Sequence, residues 1–394
     1  MTDRPLLMIP GPIEISPAVL ASVSGPPPGH LSKPVMVAFG SALRRMRQVW
    51  CASDDSQPFV VAGSGTTAMD MAVSNLVDAG DPVVVVHTGY FSDRLAEMLR
   101  RRGAAVTSVA AGPGDAPGTE AVAAALDGLA ARGTPAKALF ATHVDTSTGV
   151  RVDPRPLARL ARERGALSVF DGVCATAGER FLMREWQADL YLTGSQKALG
   201  LPPGLALLVA GPRALERRAS LQAPVPMSLD WNEWQPVMRA YEEGRPAYFA
   251  TPATTLILAL DVALGEILAG GMEARWTAHG RAACALAAAW DRLGLRSLVP
   301  RPELRASTLS ALLYPAGVDA ALVGKVLEHG VVVAGGLHPQ RRAEYFRVGH
   351  MGYAVTQAEM LARTVDAIEA ALIDLGQELE RGAAPAALLA ALAG

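Results

Sequence analysis

The residue best suited to covalent chemistry is Lys197, in the segment DLYLTGSQKALGLPPG. An apolar run breaks at Gly194 and delivers Ser195, Gln196 and Lys197 just before a loop rich in proline and glycine. A lone lysine at a strand end is usually a solvated surface residue. Here apolar flanks would desolvate the ammonium and lower its pKa. The segment therefore predicts an amine that can attack an aldehyde.

A carboxylate, Asp171, ends the apolar run ALSVFD twenty-six residues before Lys197. In isolation such a residue is most simply a helix or loop cap. Beside a strand-end lysine it has a second use, because a buried carboxylate can keep the pyridine nitrogen of a pyridoxal cofactor protonated. Val173, two residues later, would then face the ring.

The segment GSGTTAMDMA opens a predicted helix with Ser64, Gly65 and Thr66. Backbone N–H groups and hydroxyls converge at such a helix start, where the helix dipole favours a phosphate. Simple helix capping would need the same residue types. The third glycine of the dinucleotide-binding pattern is missing, which disfavours a nicotinamide-dependent oxidoreductase.

Two more clusters follow predicted strands. HVDTSTG places Asp145, Thr146 and Ser147 after the run KALFAT, either as hydrogen-bonding groups or as a plain turn. Tyr90 and Phe91 follow PVVVVH and could stack on an aromatic cofactor, although a loop aromatic more often fills a core.

The elements that must hold these residues lie between residue 59 and about residue 210. Seven apolar or β-branched runs, namely PFVVAG, PVVVVH, AAVTSVA, KALFATH, ALSVFD, DLYLTG and LALLVAG, alternate with four segments of helical period. This pattern predicts an α/β fold with a mostly parallel, seven-stranded, doubly wound sheet. Ligands of such sheets bind beyond the carboxyl ends of the strands, where the candidate residues fall.

The remaining chain predicts a second, smaller α+β domain. Residues 220–255, rich in Pro, Trp and Tyr, predict an irregular excursion, and a long helix from Thr254 to about Leu268 should follow it. We predict an N-terminal arm over residues 1–20, a large domain over 21–270 and a small domain over 271–394. The Ala/Leu-rich tail could dock as a helix or fray.

Composition narrows the class of protein. The chain has 394 residues, 50% of them hydrophobic, and a formal net charge of −2, so no basic field attracts nucleic acid or an anionic membrane. Its three cysteines lack CxxC spacing, which predicts neither a disulfide framework nor a metal site. No run is long enough to span a membrane. We expect a cytoplasmic protein with small-molecule partners.

In their order along the chain, these motifs resemble those of class V, fold-type I pyridoxal 5'-phosphate (PLP)-dependent aminotransferases, specifically the alanine–glyoxylate, serine–glyoxylate and serine–pyruvate group. The motifs are PGP, GSGTT, GYF-x-x-R, H-x-D-T-S-T-G, D-x-V, G-S-Q-K, PPG, YFATP and RVGHMG, and they span roughly residues 8–375. Each motif is common, but their ordered spacing is not.

The resemblance implies that Lys197 forms the internal aldimine with PLP and moves a proton at the substrate's Cα, while Asp171 pairs with the pyridine nitrogen. It places Phe91 on one face of the ring, Val173 on the other and Thr146 near the 3-oxygen. The implied phosphate contacts are Ser64, Gly65, Thr66 and Gln196, completed by Tyr248 and Thr251 of the neighbouring subunit in a homodimer.

For the substrate, the resemblance implies that Arg347 holds the carboxylate, for which a planar guanidinium is suited. A strand-end salt bridge is the alternative use of this arginine. Gly336, in a glycine turn at the site entrance, would leave room only for a small side chain. The implied reaction is transamination of alanine or serine with glyoxylate or pyruvate.

Some departures leave the substrate open. DGVCA replaces the commoner D-A-V-S/T-S, which puts Cys174 after the valine, and Thr66 and His87 stand at variable positions. The alternative is a biosynthetic aminotransferase or PLP lyase acting on an unusual amine, including pyridoxamine–pyruvate activity. Cysteine desulfurase is disfavoured because Cys284 lies in a predicted helix. A non-enzymatic PLP-binding regulator is disfavoured because no segment is left over for a DNA-binding module.

Overall fold

The computed structural model describes residues 4–393. Its strands are β1 (Leu6–Leu7), β2 (Gln57–Ala62), β3 (Pro82–His87), β4 (Ala105–Ala110), β5 (Ala138–Thr142), β6 (Val144–Asp145), β7 (Val150–Arg151), β8 (Leu167–Asp171), β9 (Leu190–Gly194), β10 (Leu205–Ala210), β11 (Leu309–Leu313), β12 (Val331–Val332), β13 (Ala334–Gly335) and β14 (Tyr345–Gly349). Its α-helices are α1 (Pro17–Val23), α2 (Lys33–Val49), α3 (Gly65–Leu76), α4 (Tyr90–Arg101), α5 (Thr119–Ala131), α6 (Pro154–Glu163), α7 (Met183–Trp186), α8 (Pro212–Ser220), α9 (Trp231–Glu242), α10 (Thr254–Ala269), α11 (Gly271–Arg292), α12 (Ala321–Glu328), α13 (Ala358–Asp374) and α14 (Ala383–Ala393).

The central sheet has seven strands in the order β2-β10-β9-β8-β5-β3-β4, and β10 runs antiparallel to both of its neighbours. All seven predicted runs are strands of this sheet, which confirms the predicted mostly parallel architecture. The central strands β5, β8 and β9 are buried along their whole length, as expected for strands covered by helices on both faces. The edge strand β4 is largely accessible.

The four predicted helices between these strands are α3, α4, α5 and α6. The helix α6 shows why they form. The Asp153 side chain accepts the backbone N–H of Arg155 at 2.9 Å, and Pro154 occupies the first turn. Leu157 and Ala161, one turn apart, face the core.

The prediction of an irregular excursion over residues 220–255 is wrong for its middle third, which forms α9. The Asp230 side chain caps this helix through the N–H of Asn232 at 2.8 Å. Trp231 and Trp234 are buried, and the Trp231 ring stacks on Phe59 with centroids 5.2 Å apart. Tertiary burial of these rings stabilises a helix that contains Pro236, and the Asp230 cap followed by apolar residues at helical spacing was a usable local signal.

The predicted long helix is α10, which lies in the main hydrophobic core. Within residues 4–393, no single helix is long and apolar enough to cross a membrane. The helices α10 and α11 meet that test only as a pair, and they are bent by 84° relative to each other.

A second hydrophobic core lies around the three-stranded sheet β11-β14-β13. The N-terminal strand β1 pairs in parallel with β12, so the arm packs on this second core. The tail forms α14, with Leu388 buried there. Within α11, Trp276 packs in the first core and Leu286 in the second, so the packing changes inside that helix. The predicted domain boundaries stay a prediction.

Candidate active site

Three neighbouring strands of the central sheet end at one edge. Thr142 of β5 lies opposite Asp171 of β8, and Asp171 lies opposite Leu192 of β9. Lys197 follows three residues after the end of β9. The carboxyl ends of parallel strands therefore bring the predicted amine and the predicted carboxylate to the same crevice.

Lys197 is only 7% exposed, and burial lowers the pKa of its ammonium. The guanidinium of Arg347 adds to that shift. The Lys197 Nζ donates a hydrogen bond to the carbonyl of Pro10 in the PGP motif. A Cβ on Gly11 would lie 2.9 Å from Nζ, so the glycine leaves the space that the lysine occupies.

Asp171 is 1% exposed, and burial raises the pKa of its carboxyl to about 7. The backbone N–H of Val173 (2.9 Å) and the hydroxyl of Thr142 (3.4 Å) donate to it and partly oppose that shift. The charge of Asp145 raises the pKa further. A buried carboxylate with so little compensation is suited to a cationic partner such as a protonated ring nitrogen.

The start of α3 forms a compact polar cradle. Ser64 is its N-cap residue, and the Ser64 backbone N–H donates to the Thr67 hydroxyl at 3.1 Å. A Cβ on Gly194 would lie 2.9 Å from the Gly65 nitrogen and 2.9 Å from Gln196 Oε1. Within residues 4–393, that buried amide oxygen of Gln196 has no hydrogen-bond partner. Because an amide can flip, the same side chain can offer N–H donors to a phosphate.

Asp145 connects the two segments that carry the predicted ring contacts Phe91 and Thr146. One of its carboxylate oxygens accepts the backbone N–H groups of Phe91 and Ser92, each at 3.2 Å. The other accepts the backbone N–H (3.0 Å) and the hydroxyl (2.6 Å) of Ser147. The start of α4, which carries Phe91, is thereby tied to the loop that carries Thr146.

Arg347 reaches this loop from β14. Its Nε donates to the Gly335 carbonyl at 2.9 Å and its Nη1 donates to the Thr146 carbonyl at 3.0 Å. It is 9% exposed, and no carboxylate of the described chain forms a salt bridge with it, so the alternative of a strand-end salt bridge is not realised there. The Nη2 group makes no hydrogen bond to residues 4–393 and can donate to a ligand carboxylate.

Gly336 has a packing reason to be glycine. A Cβ there would lie 2.8 Å from Tyr345 Cε1 and would also collide with the carbonyl of Arg342. By contrast, nothing lies within 4 Å of a Cβ built on Gly335. A role for Gly336 in limiting the size of the substrate stays a prediction.

Tyr248 and Thr251 are not brought to this group of residues. Tyr248 is 60% exposed, and its hydroxyl lies 3.4 Å from that of Thr251, which is also exposed. The Tyr248 ring packs against His30, with centroids 5.2 Å apart. Among the described residues, no hydrogen bond joins either side chain to those around Lys197.

Two contacts were not predicted. The first is the Pro10 carbonyl at Lys197, for which the PGP motif offered no chemical signal. The second is Arg94, which donates to Thr66 Oγ1 at 3.1 Å and to Tyr90 Oη at 2.8 Å. Its position three residues after Phe91 put both on one helix face and was a usable signal.

The mostly parallel sheet and the strand-end lysine define a fold-type I PLP-dependent enzyme. The chain matches the family model of class-V aminotransferases over residues 29–359, and it belongs to that family. It is a PLP-dependent aminotransferase. The buried amine of Lys197, the carboxyl of Asp171 and the cradle at Ser64 fit this cofactor chemically.

Curated relatives span most of the chain. The alanine–glyoxylate aminotransferase 1 of Saccharomyces cerevisiae is 36% identical over 364 residues, covering 88% of this chain and 91% of that protein. The L-aspartate–glyoxylate aminotransferase of Paracoccus denitrificans is 32% identical over 98% of this chain and 96% of its own. The crystal structure of an alanine–glyoxylate aminotransferase from Nostoc sp. superimposes with a TM-score of 0.87 at 30% identity, covering 94% of this chain and 96% of that one.

Proposed function

We propose that this enzyme transfers the amino group of alanine or serine to glyoxylate or pyruvate, as a homodimer with shared active sites. The observation that carries the proposal is the contact of Arg347 with the Thr146 loop, with Nη2 unused within residues 4–393. Amino acids and 2-oxo acids share an α-carboxylate, and a guanidinium can bind both of its oxygens. One arginine would therefore serve the donor and the acceptor in turn.

When bound, PLP supplies an electron sink that stabilises negative charge at the substrate's Cα. Lys197 suits the proton transfer at that carbon, because burial lowers the pKa of its ammonium and favours the neutral amine. Asp171 would hold a proton at the ring nitrogen, and Phe91 and Val173 would pack on the two faces of the ring. Thr146 would contact the ring oxygen.

The choice of a small donor is supported by charge. The guanidinium of Arg347 contributes to the lowered pKa of Lys197, and it accounts for one substrate carboxylate. A second carboxylate, as on aspartate, would need another cation beside the substrate. The two curated relatives named above share glyoxylate in their names but differ in the amino donor, so the acceptor has the more direct support.

The dimer is supported by the exposed pair Tyr248 and Thr251. In the alanine–glyoxylate and serine–pyruvate group that the chain resembles, these positions complete the phosphate site of the neighbouring subunit. Their two hydroxyls lie 3.4 Å apart at the surface and could reach a second copy of the chain. Each active site would then draw residues from two chains.

The test is a spectroscopic half-reaction on the purified holoenzyme. L-Alanine or L-serine should bleach the visible band of bound PLP, and glyoxylate or pyruvate should restore it. L-Aspartate and pyridoxamine serve as comparison amines. Bleaching by one of these alone would overturn the proposed donors and favour the alternative of an unusual amine. The proposed donors would also be overturned if neither L-alanine nor L-serine changed the band at any concentration.

A further inference from the structure

The proposed phosphate site is short of positive charge. Its contacts within one chain, Ser64, Gly65, Thr66 and Gln196, are all neutral, and so are Tyr248 and Thr251. A phosphate ester carries a charge of about −1.5 to −2 at pH 7. The start of a helix such as α3 offers only about half a positive charge. A cationic side chain near the cradle would supply the difference.

Arg94 lies in the required place. Its Nη1 donates to the Thr66 hydroxyl at 3.1 Å, and its Nη2 donates to the Tyr90 hydroxyl at 2.8 Å. Its guanidinium carbon is 4.8 Å from the centroid of the Tyr90 ring and 5.3 Å from that of Phe91. The guanidinium therefore lies between a proposed phosphate contact and the proposed ring-stacking residue, with N–H donors still unused.

The charge of Arg94 has no counter-ion in the described chain. No carboxylate within residues 4–393 forms a salt bridge with it, although it is partly buried. The nearest acidic residues of the same helix have other partners, because Asp93 pairs with His87 at 2.6 Å and Glu97 with Arg101 at 2.9 Å. An unpaired cation that is partly removed from water is costly, and an arriving anion would offset that cost.

We propose that Arg94 binds the phosphate of PLP directly and provides the counter-charge that the neutral cradle lacks. Arg94 would use an N–H donor not engaged by Thr66 or Tyr90. The inference rests on the proposed phosphate site at the start of α3.

The experiment compares the affinities of the apoenzyme for PLP and for pyridoxal, which lacks the phosphate. Arg94→Met should weaken PLP binding by about 10- to 100-fold, the range for a lost hydrogen bond to a charged group. Binding of pyridoxal should stay within a factor of about 3, because the ring and the aldehyde are unchanged. Arg94→Lys, which keeps the charge but not the planar fork, should fall between.

Arg101→Met is the matched control, since it removes an exposed arginine from the same helix and should change neither affinity. A second readout is the ³¹P NMR titration of bound PLP. Arg94 stabilises the phosphate dianion, so Arg94→Met should raise the phosphate pKa toward its value of about 6 in a free ester. Arg94→Lys, measured by both readouts, keeps the test usable if the methionine variant folds poorly.

An equal loss of affinity for PLP and pyridoxal would overturn the proposal, because Arg94 would then act only through packing or Phe91. The proposal would also be overturned if Arg94→Met kept the wild-type ratio of PLP affinity to pyridoxal affinity but changed subunit assembly. The Arg94 charge would then serve a contact with a partner chain. A wild-type enzyme that binds PLP no more tightly than pyridoxal would instead overturn the proposed phosphate site itself.

Discussion

The two parts of the proposed PLP site differ in how they are held. We define the inner cluster as Lys197, Asp171, Asp145 and Arg347, and the outer pair as Tyr248 and Thr251. Lys197 is 7% exposed, whereas Tyr248 is 60% exposed. The inner cluster lies within or just beyond strands, and hydrogen bonds tie Asp145 to the backbone N–H of Phe91 and Arg347 to the carbonyl of Thr146. The outer pair has one hydroxyl contact of 3.4 Å between its own members.

This difference in burial suggests that the inner cluster serves the reaction and that the outer pair serves cofactor binding. Burial acts on the two reacting groups in different ways. It lowers the pKa of Lys197 toward the neutral amine that the chemistry uses, and it raises the pKa of Asp171, whose carboxylate would need a cationic partner such as the ring nitrogen. One chain supplies that environment by itself. The outer pair would gain its environment only on meeting a second copy. Breaking the inner cluster should therefore affect turnover, and breaking the outer pair should affect cofactor binding and assembly.

The largest effect is expected for Lys197→Ala. Turnover in the alanine–glyoxylate assay should fall by about 10⁴-fold or more, because in the proposed mechanism this one residue would both bind the cofactor and move the proton. Lys325→Ala, which removes an exposed lysine paired with Glu328, is the control. Retention of even a tenth of wild-type turnover by a folded Lys197→Ala protein would remove Lys197 from the mechanism.

Asp171 should make the stability of the apoenzyme depend on pH. Its pKa is about 7 in the folded chain against an ordinary value of 3.8, so between about pH 4 and pH 7 the folded state holds a proton that the unfolded state has released. The free energy of unfolding should fall as pH rises through this window, by roughly 2–4 kcal/mol relative to Asp171→Asn.

Three buried histidines also make stability depend on pH, so the effect of Asp171 must be measured as the difference between wild type and Asp171→Asn. Burial lowers the pKa of His143 and His279 to about 3 and that of His350 to about 4. Their folded pKa values are depressed, so they remove stability as pH falls below about 6.5, the opposite slope. They are common to both proteins and cancel. The free energy of unfolding is measured by urea denaturation from pH 4 to pH 7. The raised pKa of Asp171 would be contradicted if this free energy changed with pH equally in wild type and Asp171→Asn.

Arg347→Met should lower kcat/KM by about 100-fold, mainly through a higher KM for both the amino acid and the 2-oxo acid. The expected cause is loss of the carboxylate contact. Arg341→Met, which removes a surface arginine paired with Glu344 in the same part of the chain, is the matched control. A fall in kcat with KM unchanged for both substrates would show that Arg347 does not bind the carboxylate.

The smallest single effect is expected in the outer pair. Tyr248→Phe should weaken PLP binding by about 10-fold, the value of one hydrogen bond to a charged group. The doubly substituted Tyr248→Ala, Thr251→Ala chain should bind more weakly still. Both should leave the fold intact, because the side chains are exposed.

Mixed dimers sharpen this prediction. A chain with Lys197→Ala and a chain with both outer substitutions would together form one intact site, if each site takes its outer pair from the partner. Co-expressed mixtures should then be more active than the average of the two parents at limiting PLP. Activity no higher than that average would place the outer pair in its own subunit's site or outside both.

Much of the central sheet's architecture follows from local pattern. Continuous apolar runs predicted β5, β8 and β9, because strands covered on both faces need apolar side chains throughout. The helix α9 was missed because the Pro, Trp and Tyr content of its segment pointed to irregular structure, whereas burial of Trp231 against the distant Phe59 stabilises a helix despite Pro236. The tail could not be assigned either, because only the second core provides the surface that buries Leu388.

For the site, the sequence by itself determined the types of chemistry: an amine and a carboxylate at strand ends, a polar helix start and an arginine near the C-terminal strand. Their ordered motifs also determined the family, which the family match confirms. Only the tertiary structure decided the contacts of Lys197 with Pro10, of Asp145 with Phe91 and of Arg94 with Thr66. Side-chain hydrogen bonds act over about 3 Å, and the packing of distant segments, rather than spacing along the chain, brings groups within that distance.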